Sequence, residues 1–197
     1  MCRVNHRRQL NGNNALWGCK ATTDWSLQPW GRINTLNEED CRWLQYALTL
    51  AQRAAAEGEV PVGAVLVYQN EVLGEGYNRS IAACDPTAHA EILALRQAAT
   101  QIGNYRLVNS VLYVTLEPCP MCAGAIVNAR VERVAFGARD PRAGACGTVF
   151  NILQADSLNH RVIVEGGLLA ETCGELLQSF FRARRGRRND TCVMLDH

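Results

Sequence analysis

Two short motifs hold the side chains best suited to bind a metal ion. The first is the His-Ala-Glu run at residues 89–91, and the second is the Cys-Pro-Met-Cys run at residues 119–122. Two cysteines three positions apart lie on one face of a helix, so both thiolates can reach one ion. Three protein ligands leave the fourth tetrahedral position of Zn²⁺ open for water, as in catalytic sites. We therefore predict that His89, Cys119 and Cys122 bind one Zn²⁺ ion in each subunit.

Glu91 completes a possible catalytic set. It follows His89 by two positions, so on a helix its side chain points away from the histidine, which suits proton transfer better than metal binding. Zn²⁺ lowers the pKa of a bound water to around 7, and a neighbouring carboxylate can accept the proton and return it to a leaving group. We predict that Glu91 is the general acid and base of a hydrolytic reaction.

A Cys-x-x-Cys motif is also typical of structural zinc sites and of redox pairs. The redox interpretation is weakened because no thioredoxin-like pattern precedes the motif and a His-x-Glu stands upstream in a matching context. A structural zinc site would need a fourth soft ligand. Cys84 and Cys146 are the candidates for that ligand, and the sequence does not place them.

The hydrophobic pattern around the motifs predicts the elements that position them. Helices are predicted at residues 37–58, 89–99, 119–130 and 171–185. Strands are predicted at residues 62–68, 72–77, 111–116, 133–137 and 161–165, the first two forming a hairpin. This order implies an α/β fold with one sheet and helices on both faces. Each motif then lies at the start of a helix, where the positive dipole favours thiolate over thiol.

The composition is that of an ordinary globular protein. The chain has 197 residues, of which 48% are hydrophobic and 20% charged. No stretch approaches the ~18 uninterrupted apolar residues of a spanning helix, so no membrane partner is expected. The first residues lack the apolar run of a secretory signal, and nine cysteines, an odd number, do not suit a disulfide framework. We expect a cytoplasmic protein with reduced thiols.

Basic ends flank an acidic body. Residues 1–35 show no periodicity and are expected to form a poorly ordered extension, and residues 186–197 a basic, disordered tail. Five arginines fall between residues 182 and 188, and arginine binds phosphate through two parallel hydrogen bonds. This distribution is compatible with a nucleic-acid partner gripped by the ends, and equally with a solvated tail.

The two motifs and their surroundings resemble the bacterial tRNA-specific adenosine deaminases, within the cytidine/deoxycytidylate deaminase superfamily. The His-x-Glu and Pro-Cys-x-x-Cys patterns are those of zinc-dependent nucleobase deaminases. The resemblance covers residues 36–185, which would form the deaminase domain. It rests on PVGAV at 61–65, GYNR at 76–79, DPTAHAE at 85–91, TLEPC at 115–119, FGARD at 136–140 and NHR at 159–161.

The resemblance implies a fold, a reaction and partners. The fold would be the cytidine-deaminase-like three-layer α/β/α sandwich with a five-stranded sheet, assembled as a homodimer. The reaction would be hydrolytic deamination of the wobble adenosine to inosine, and the substrate the anticodon stem-loop of a tRNA, principally an arginine tRNA. By position, His89, Cys119 and Cys122 would hold zinc, with Glu91 as the general acid and base.

The resemblance also implies residues that bind the substrate. Asn78 would hydrogen-bond the purine, although its side chain is equally suited to capping a turn. Asp140 would lie near the ribose of the flipped nucleotide, although an Asx turn before Pro141 is a serious alternative. The anticodon loop would be held by side chains near the end of the last helix, although aromatic residues there are more often core. These side chains are Phe180, Phe181, Arg182, Arg184 and Arg185.

Two other functions are compatible with the same motifs. A deaminase of a free base or nucleoside, of the guanine or cytosine type, would use the same zinc geometry. A non-catalytic RNA-binding subunit would keep the zinc for folding and lack the proton-transferring glutamate. The arginine-rich end of the chain favours an RNA substrate over a small molecule, and the presence of Glu91 favours an active enzyme.

Overall fold

The structure, a computed structural model, describes residues 38–193, with side chains described as far as Arg185. The predicted extension at residues 1–35 lies outside the described residues, and so do the side chains of the predicted tail. The helices are α1 (Glu38–Ala56), α2 (Ala90–Ile102), α3 (Pro120–Asn128) and α4 (Ala170–Val193). The strands are β1 (Gly63–Tyr68), β2 (Glu71–Tyr77), β3 (Val111–Leu116), β4 (Arg133–Ala138) and β5 (Ile163–Gly166).

These strands form one mixed sheet in the order β2-β1-β3-β4-β5. Strand β1 pairs antiparallel with both β2 and β3, whereas β3, β4 and β5 run parallel. The hairpin turn places Gln69 and Asn70 at positive φ, which matches the right-handed twist of the flanking strands. Because β3 and β4 are parallel, their carboxyl ends lie at the same edge of the sheet. The segments that follow Leu116 and Ala138 therefore start side by side.

Two hydrophobic clusters cover the two faces of the sheet. Ala64 and Leu66 of β1 pack in the cluster that holds residues of α2 and α3. Val65 and Val67 point to the other face and pack with residues of α1 and the start of α4. The alternation follows the two-residue period of a strand. The predicted α/β sandwich, with one five-stranded sheet and helices on both faces, is confirmed.

The elements agree closely with the predicted ones, except at the end of α4. The pattern predicted an end near residue 185, whereas the helix continues to Val193. No proline and only one glycine, Gly186, occur between residues 182 and 193, and arginine is a good helix former, so nothing in that stretch stops the helix. Among the described residues, no helix combines the length and apolarity needed to cross a membrane.

Helix α2 lies directly against β2 at two glycines. A Cβ atom on Gly74 would come within 2.2 Å of the Ala94 carbonyl oxygen, and one on Gly76 within 2.4 Å of the Ala90 carbonyl oxygen. Any side chain at these positions would push the helix off the strand, so glycine is required for the close approach. The approach brings the start of α2 next to Asn78, which follows the end of β2.

A charged network joins α1 to the edge of the sheet where β4 begins, opposite the carboxyl edge. The Arg133 guanidinium contacts Asp40 at 2.5 Å and also pairs with Glu165. The Tyr113 hydroxyl donates to Asp40 at 2.6 Å. Burial alone would raise the pKa of Asp40, but hydrogen bonds from Arg133 and Tyr113 outweigh it and hold that pKa below its ordinary value. The network stabilises the charged form of Asp40. It lies at the start of β4, at the end of the sheet away from the metal-binding residues.

Replacing Asp40 by asparagine is expected to destabilise the fold. The side chains of Arg133 and Asp40 are only 20% and 13% exposed, and a hydrogen-bonded charge of this kind contributes about 2 kcal/mol. Urea denaturation should show that loss in the free energy of unfolding. The matched control is Asp156→Asn, in an ion pair whose side chains are 63% and 87% exposed, where less than ~1 kcal/mol is expected. Equal losses in the two variants would contradict the role of the network.

Candidate active site

The carboxyl end of β3 leads directly into the cysteine motif. Cys119 is the N-cap residue of α3 and has extended backbone angles, and Pro120 occupies the first helical position. Proline fits there because its missing N–H would have no partner within the helix. Cys122, one turn into α3, is completely buried. Both thiols therefore lie at the positive end of a helix, as predicted.

His89 reaches the same place from a second helix start. It is the N-cap residue of α2, also with extended backbone angles. The preceding turn is stabilised by Asp85, whose carboxylate accepts hydrogen bonds from the backbone N–H and the hydroxyl of Thr87, both at 2.7 Å. The Arg79 N–H donates to the Ala88 carbonyl oxygen at 3.0 Å. Hydrogen bonds at Thr87 and Ala88 therefore fix the backbone that leads into His89.

The three predicted ligands come together. His89 Nδ1 lies 3.7 Å from Cys119 Sγ and 3.5 Å from Cys122 Sγ, and all three ligand atoms are within 4.8 Å of one another. With Zn–N near 2.0 Å and Zn–S near 2.3 Å, tetrahedral geometry separates nitrogen and sulfur by about 3.5 Å. One imidazole and two thiols in this arrangement fit Zn²⁺.

A fourth protein ligand is not present among residues 38–185. The group of His, Cys, Asp and Glu side chains close enough to share an ion consists of His89, Cys119 and Cys122. Cys84 is exposed and Cys146 is buried, and neither belongs to that group. The geometry therefore disfavours a four-ligand structural site and leaves the position that a catalytic zinc offers to water.

The Cys119 thiol lies in surroundings that favour its anionic form. Hydrogen bonding from the Cys122 thiol has the largest effect, and His89 and the backbone N–H of Cys122 act in the same direction. Together they hold the pKa of Cys119 well below its ordinary value. A thiolate is the form that binds zinc, so the helix start prepares this ligand.

Glu91 lies beside the three ligands without joining them. It is in the first turn of α2, and only 3% of it is exposed. Burial raises the pKa of its carboxyl group to about 7. A carboxyl with this pKa can accept and release a proton near neutral pH, which is the requirement for a general acid and base.

Asn78 is buried just after the end of β2, and its side chain makes the capping contact that the sequence left as an alternative. Its Oδ1 atom accepts a hydrogen bond from the N–H of Ala90 at 2.9 Å. That bond caps the start of α2 and fixes the backbone N–H of Ala90, the residue between His89 and Glu91. The Nδ2 group takes no part in that bond, so it can donate to a ligand.

Asp140 forms the Asx turn that the sequence left as an alternative. Its Oδ1 atom accepts a hydrogen bond from the N–H of Arg142 at 2.9 Å, and the side chain is not in the metal-binding group. Asp140 begins the segment 140–148, named here the flanking loop, which follows β4 at the carboxyl edge. The Ala145 N–H donates to the Pro118 carbonyl oxygen at 2.8 Å, so the loop lies against the cysteine motif.

The substrate-binding residues predicted on α4 lie on a different helix from those that carry His89, Glu91, Cys119 and Cys122. Helix α4 packs against β4, β3 and α1, mainly on the face opposite to α2 and α3. Phe180 is half-buried, and Phe181, 41% exposed, meets it edge to face with ring centroids 5.6 Å apart. Arg182, Arg184 and Arg185 are exposed. These five side chains are not part of the group of His89, Cys119 and Cys122 that can bind a metal ion.

Two buried glutamates have roles that sequence reasoning missed. The Glu59 carboxylate accepts the N–H groups of Ile81 and Ala82, and the Glu117 carboxylate accepts three N–H groups of the flanking loop. Glu59 lies just before the PVGAV motif, and Glu117 is inside TLEPC. The one feature in the sequence that could have pointed to these roles is an acidic residue one or two positions before a proline. The hydrogen-bond partners of the two glutamates are backbone groups far along the chain, which the sequence does not reveal.

Comparison with known proteins places the chain in a family. The family model for the cytidine and deoxycytidylate deaminase zinc-binding region matches residues 37–138. The tRNA-specific adenosine deaminase of Haemophilus influenzae is 53% identical over 150 residues, which cover 76% of this chain and 87% of that protein. The chain belongs to the tRNA-specific adenosine deaminase family. The Bacillus subtilis member is 45% identical over 150 residues, covering 76% of this chain and 93% of that protein.

Two solved structures are similar to this member of the tRNA-specific adenosine deaminase family. One comes from a study of A-to-I editing by tRNA:A34 deaminases at the wobble position and superposes with a TM-score of 0.67. It is 40% identical and covers 69% of this chain and 99% of its own. A guanine deaminase from Nitrosomonas europaea has a TM-score of 0.60 at 24% identity, covering 71% and 83% of the two chains. That second likeness shows the shared fold alone.

Proposed function

We propose that this protein converts the wobble adenosine of a tRNA anticodon to inosine by hydrolytic deamination. The observation that carries the proposal is the three-ligand group of His89, Cys119 and Cys122 beside a buried glutamate, in a chain 53% identical to a tRNA-specific adenosine deaminase. Water adds to C6 of the adenine ring, and ammonia leaves, so the products are inosine and ammonia.

The three ligands and Glu91 divide the chemistry between them. His89, Cys119 and Cys122 would hold Zn²⁺, which when bound lowers the pKa of a water molecule to around 7 and so supplies a nucleophile at neutral pH. The Glu91 carboxylate accepts the proton that the nucleophile gives up. It then carries protons to the ring and to the departing amine, which leaves as ammonia. The burial of Glu91 keeps these proton transfers away from bulk water.

Asn78 orients the base in this proposal. Its Oδ1 atom is occupied by the Ala90 N–H, so the side chain cannot rotate without losing that bond. The remaining Nδ2 donor is therefore directed by the fold, and it would bind an acceptor on the purine edge. A fixed donor of this kind also links base recognition to the start of α2, which carries His89 and Glu91.

An anticodon loop is a suitable substrate for such a recessed site. Its bases are already outside a duplex, so extruding one costs less than breaking a base pair. Asp140, in the flanking loop, would lie near the ribose of the extruded nucleotide. Phe181 is the more exposed of the two α4 aromatic residues, so it rather than Phe180 would contact a base.

The wider assignments are part of the same proposal. We infer that residues 36–185 form the deaminase domain, that two copies assemble as a homodimer, and that an arginine tRNA is the principal substrate. We also infer a cytoplasmic location, since nine cysteines with two in a metal site suit a reducing compartment. The family resemblance supports the first three of these inferences.

A panel of substrates tests the proposal against the free-base alternative. The panel contains an anticodon stem-loop with adenosine at the wobble position, free adenosine, cytidine and guanine, each assayed for ammonia release with zinc-loaded protein. The proposal predicts release from the stem-loop at a far higher kcat/KM than from the small molecules. Release from guanine or cytidine but not from the stem-loop would overturn it.

Removing arginines from the end of α4 is expected to weaken the salt dependence of tRNA binding. The proposed variant changes Arg184, Arg185, Arg187 and Arg188 to alanine. Each phosphate that the variant no longer neutralises should make the slope of log Kd against log salt shallower by about 0.7–0.9. The control is Arg53→Ala, an exposed arginine on α1 paired with Glu57, for which the slope should not change. An unchanged slope in the fourfold variant would show that this end of the chain does not bind tRNA.

A further inference from the structure

Glu117 is a buried glutamate that neither metal binding nor proton transfer uses. Only 2% of the residue is exposed. Its Oε2 atom accepts the N–H of Asp140 at 3.1 Å, and its Oε1 atom accepts the N–H groups of Cys146 and Thr148 at 3.0 and 3.1 Å. All three donors are backbone groups of the flanking loop. A single carboxylate, two positions before the ligand Cys119, thus holds both ends of that loop.

The flanking loop packs tightly against this carboxylate at Gly144. A Cβ atom on Gly144 would lie 2.4 Å from Glu117 Oε2 and 2.6 Å from the Asp140 carbonyl oxygen. A side chain at Gly144 would therefore force the loop away from the carboxylate. Together with the bond from the Ala145 N–H to the Pro118 carbonyl oxygen, these contacts fix the loop to the turn that carries the cysteine ligands.

The loop and the residues just after it present groups suited to RNA. Arg142 is exposed, and Val149 and Phe150 are 46% and 50% exposed. Basic and aromatic side chains on a rigid support are how proteins bind unpaired nucleotides. Asp140, whose N–H is one of the three donors to Glu117, is the residue proposed to lie near the ribose. Besides the Ala145 backbone bond, the hydrogen bonds of the Glu117 side chain hold this surface beside the metal ligands.

We propose that Glu117 is a positioning residue for the RNA substrate. It sets the distance between the flanking loop and the metal ligands, and it acts on substrate binding rather than on the chemical step. The inference rests on the proposed function, because it assumes an RNA substrate. Its structural half, that Glu117 holds the loop, does not depend on the identity of the substrate.

Glu117→Gln is the sharpest substitution because it changes one oxygen to an NH₂ group and keeps the volume. Glutamine can still accept from Cys146 and Thr148 with its remaining oxygen, but its NH₂ group then faces the N–H of Asp140, two donors in contact. The loop should detach at Asp140. Loss of one hydrogen bond to a charged group should raise the KM for the anticodon stem-loop about tenfold, while kcat and one zinc per chain are retained.

Two further variants separate positioning from simple destabilisation. Gly144→Ala disturbs the same contact from the loop side and should raise KM in the same way. Asp40→Asn weakens the network at the opposite edge of the sheet and should lower stability without changing KM. Hydrogen exchange of the segment 139–150, compared with β3 in the same protein, reports whether the loop is released.

The outcomes are distinguishable. Faster exchange in the segment 139–150 with a raised KM and unchanged kcat and zinc content, in Glu117→Gln or Gly144→Ala, supports the inference. Unchanged KM in both variants, or a fall in kcat and zinc content with KM unchanged, overturns it. Failure of the wild-type protein to deaminate the stem-loop would overturn the proposed function and the RNA half of this inference. The exchange data would still decide whether Glu117 holds the loop.

Discussion

Glu91→Gln should reduce turnover by about three to four orders of magnitude while zinc stays bound. Glutamine has the size of glutamate, so the buried space in the first turn of α2 remains filled. It cannot accept the proton of the nucleophile, and a positioned general acid and base contributes up to about 10⁴-fold in rate. We expect kcat to fall by about 10³–10⁴-fold. The measurement is inosine formed from the stem-loop at saturating RNA, with zinc content determined on the same samples.

The control for this variant is Glu71→Gln, which removes an exposed carboxylate at the start of β2 and should leave kcat unchanged. Glu91→Ala is a useful second variant, since it removes the carboxylate without offering a new hydrogen-bond donor. Near-normal turnover in Glu91→Gln or Glu91→Ala, with zinc present, would mean that another group moves the protons. The assignment of Glu91 as the general acid and base would then be wrong.

Cys122→Ser should cost the protein its metal. Cys122 is completely buried, and its sulfur lies 3.5 Å from His89 Nδ1. A serine hydroxyl is not ionised at neutral pH, so the site would lose one of its two thiolate ligands. Substitutions outside the ligand set already reduce metal affinity ~10–100-fold, and the loss of a direct ligand should exceed that. Metal analysis after dialysis should find the variant nearly free of zinc and inactive.

Cys84→Ser and Cys146→Ser are the matched controls for the ligand assignment. Both replace a cysteine that the sequence left as a possible fourth ligand, and both lie outside the group that can share an ion. Each variant should retain one zinc per chain. Loss of zinc from either would indicate four-ligand coordination, which leaves no position for water and would contradict a catalytic role.

Much of the fold and the centre of the site could be predicted because they depend on local rules. Strand β3 is a largely apolar run bounded by Ser110 and Glu117, and the alternation of β1 between the two hydrophobic clusters follows from the pleat. The metal ligands lie at helix starts, where Pro120 marks the first helical position. Short spacing and helix geometry were therefore enough to place the two cysteines on one centre, whereas His89 joined them through its matching position at a second helix start.

Other features depend on contacts between distant parts of the chain. Glu117 binds backbone N–H groups 23–31 positions away, and backbone groups have no sequence signature. Asn78 caps α2 only because Gly74 and Gly76 allow that helix to approach β2. The α4 residues were assigned through family resemblance, and their proposed contacts involve RNA rather than the rest of this chain. Their roles therefore remain predictions.

The most direct test of wobble deamination uses two arginine tRNA transcripts that differ at one nucleotide. One carries adenosine at the wobble position and the other guanosine, and each is incubated with zinc-loaded protein, digested and analysed for inosine. We expect inosine from the first transcript alone, and about 10³–10⁴-fold slower formation when Glu91→Gln replaces the wild-type protein. Absence of inosine from the adenosine transcript, with folded protein that holds one zinc per chain, would contradict the proposed function.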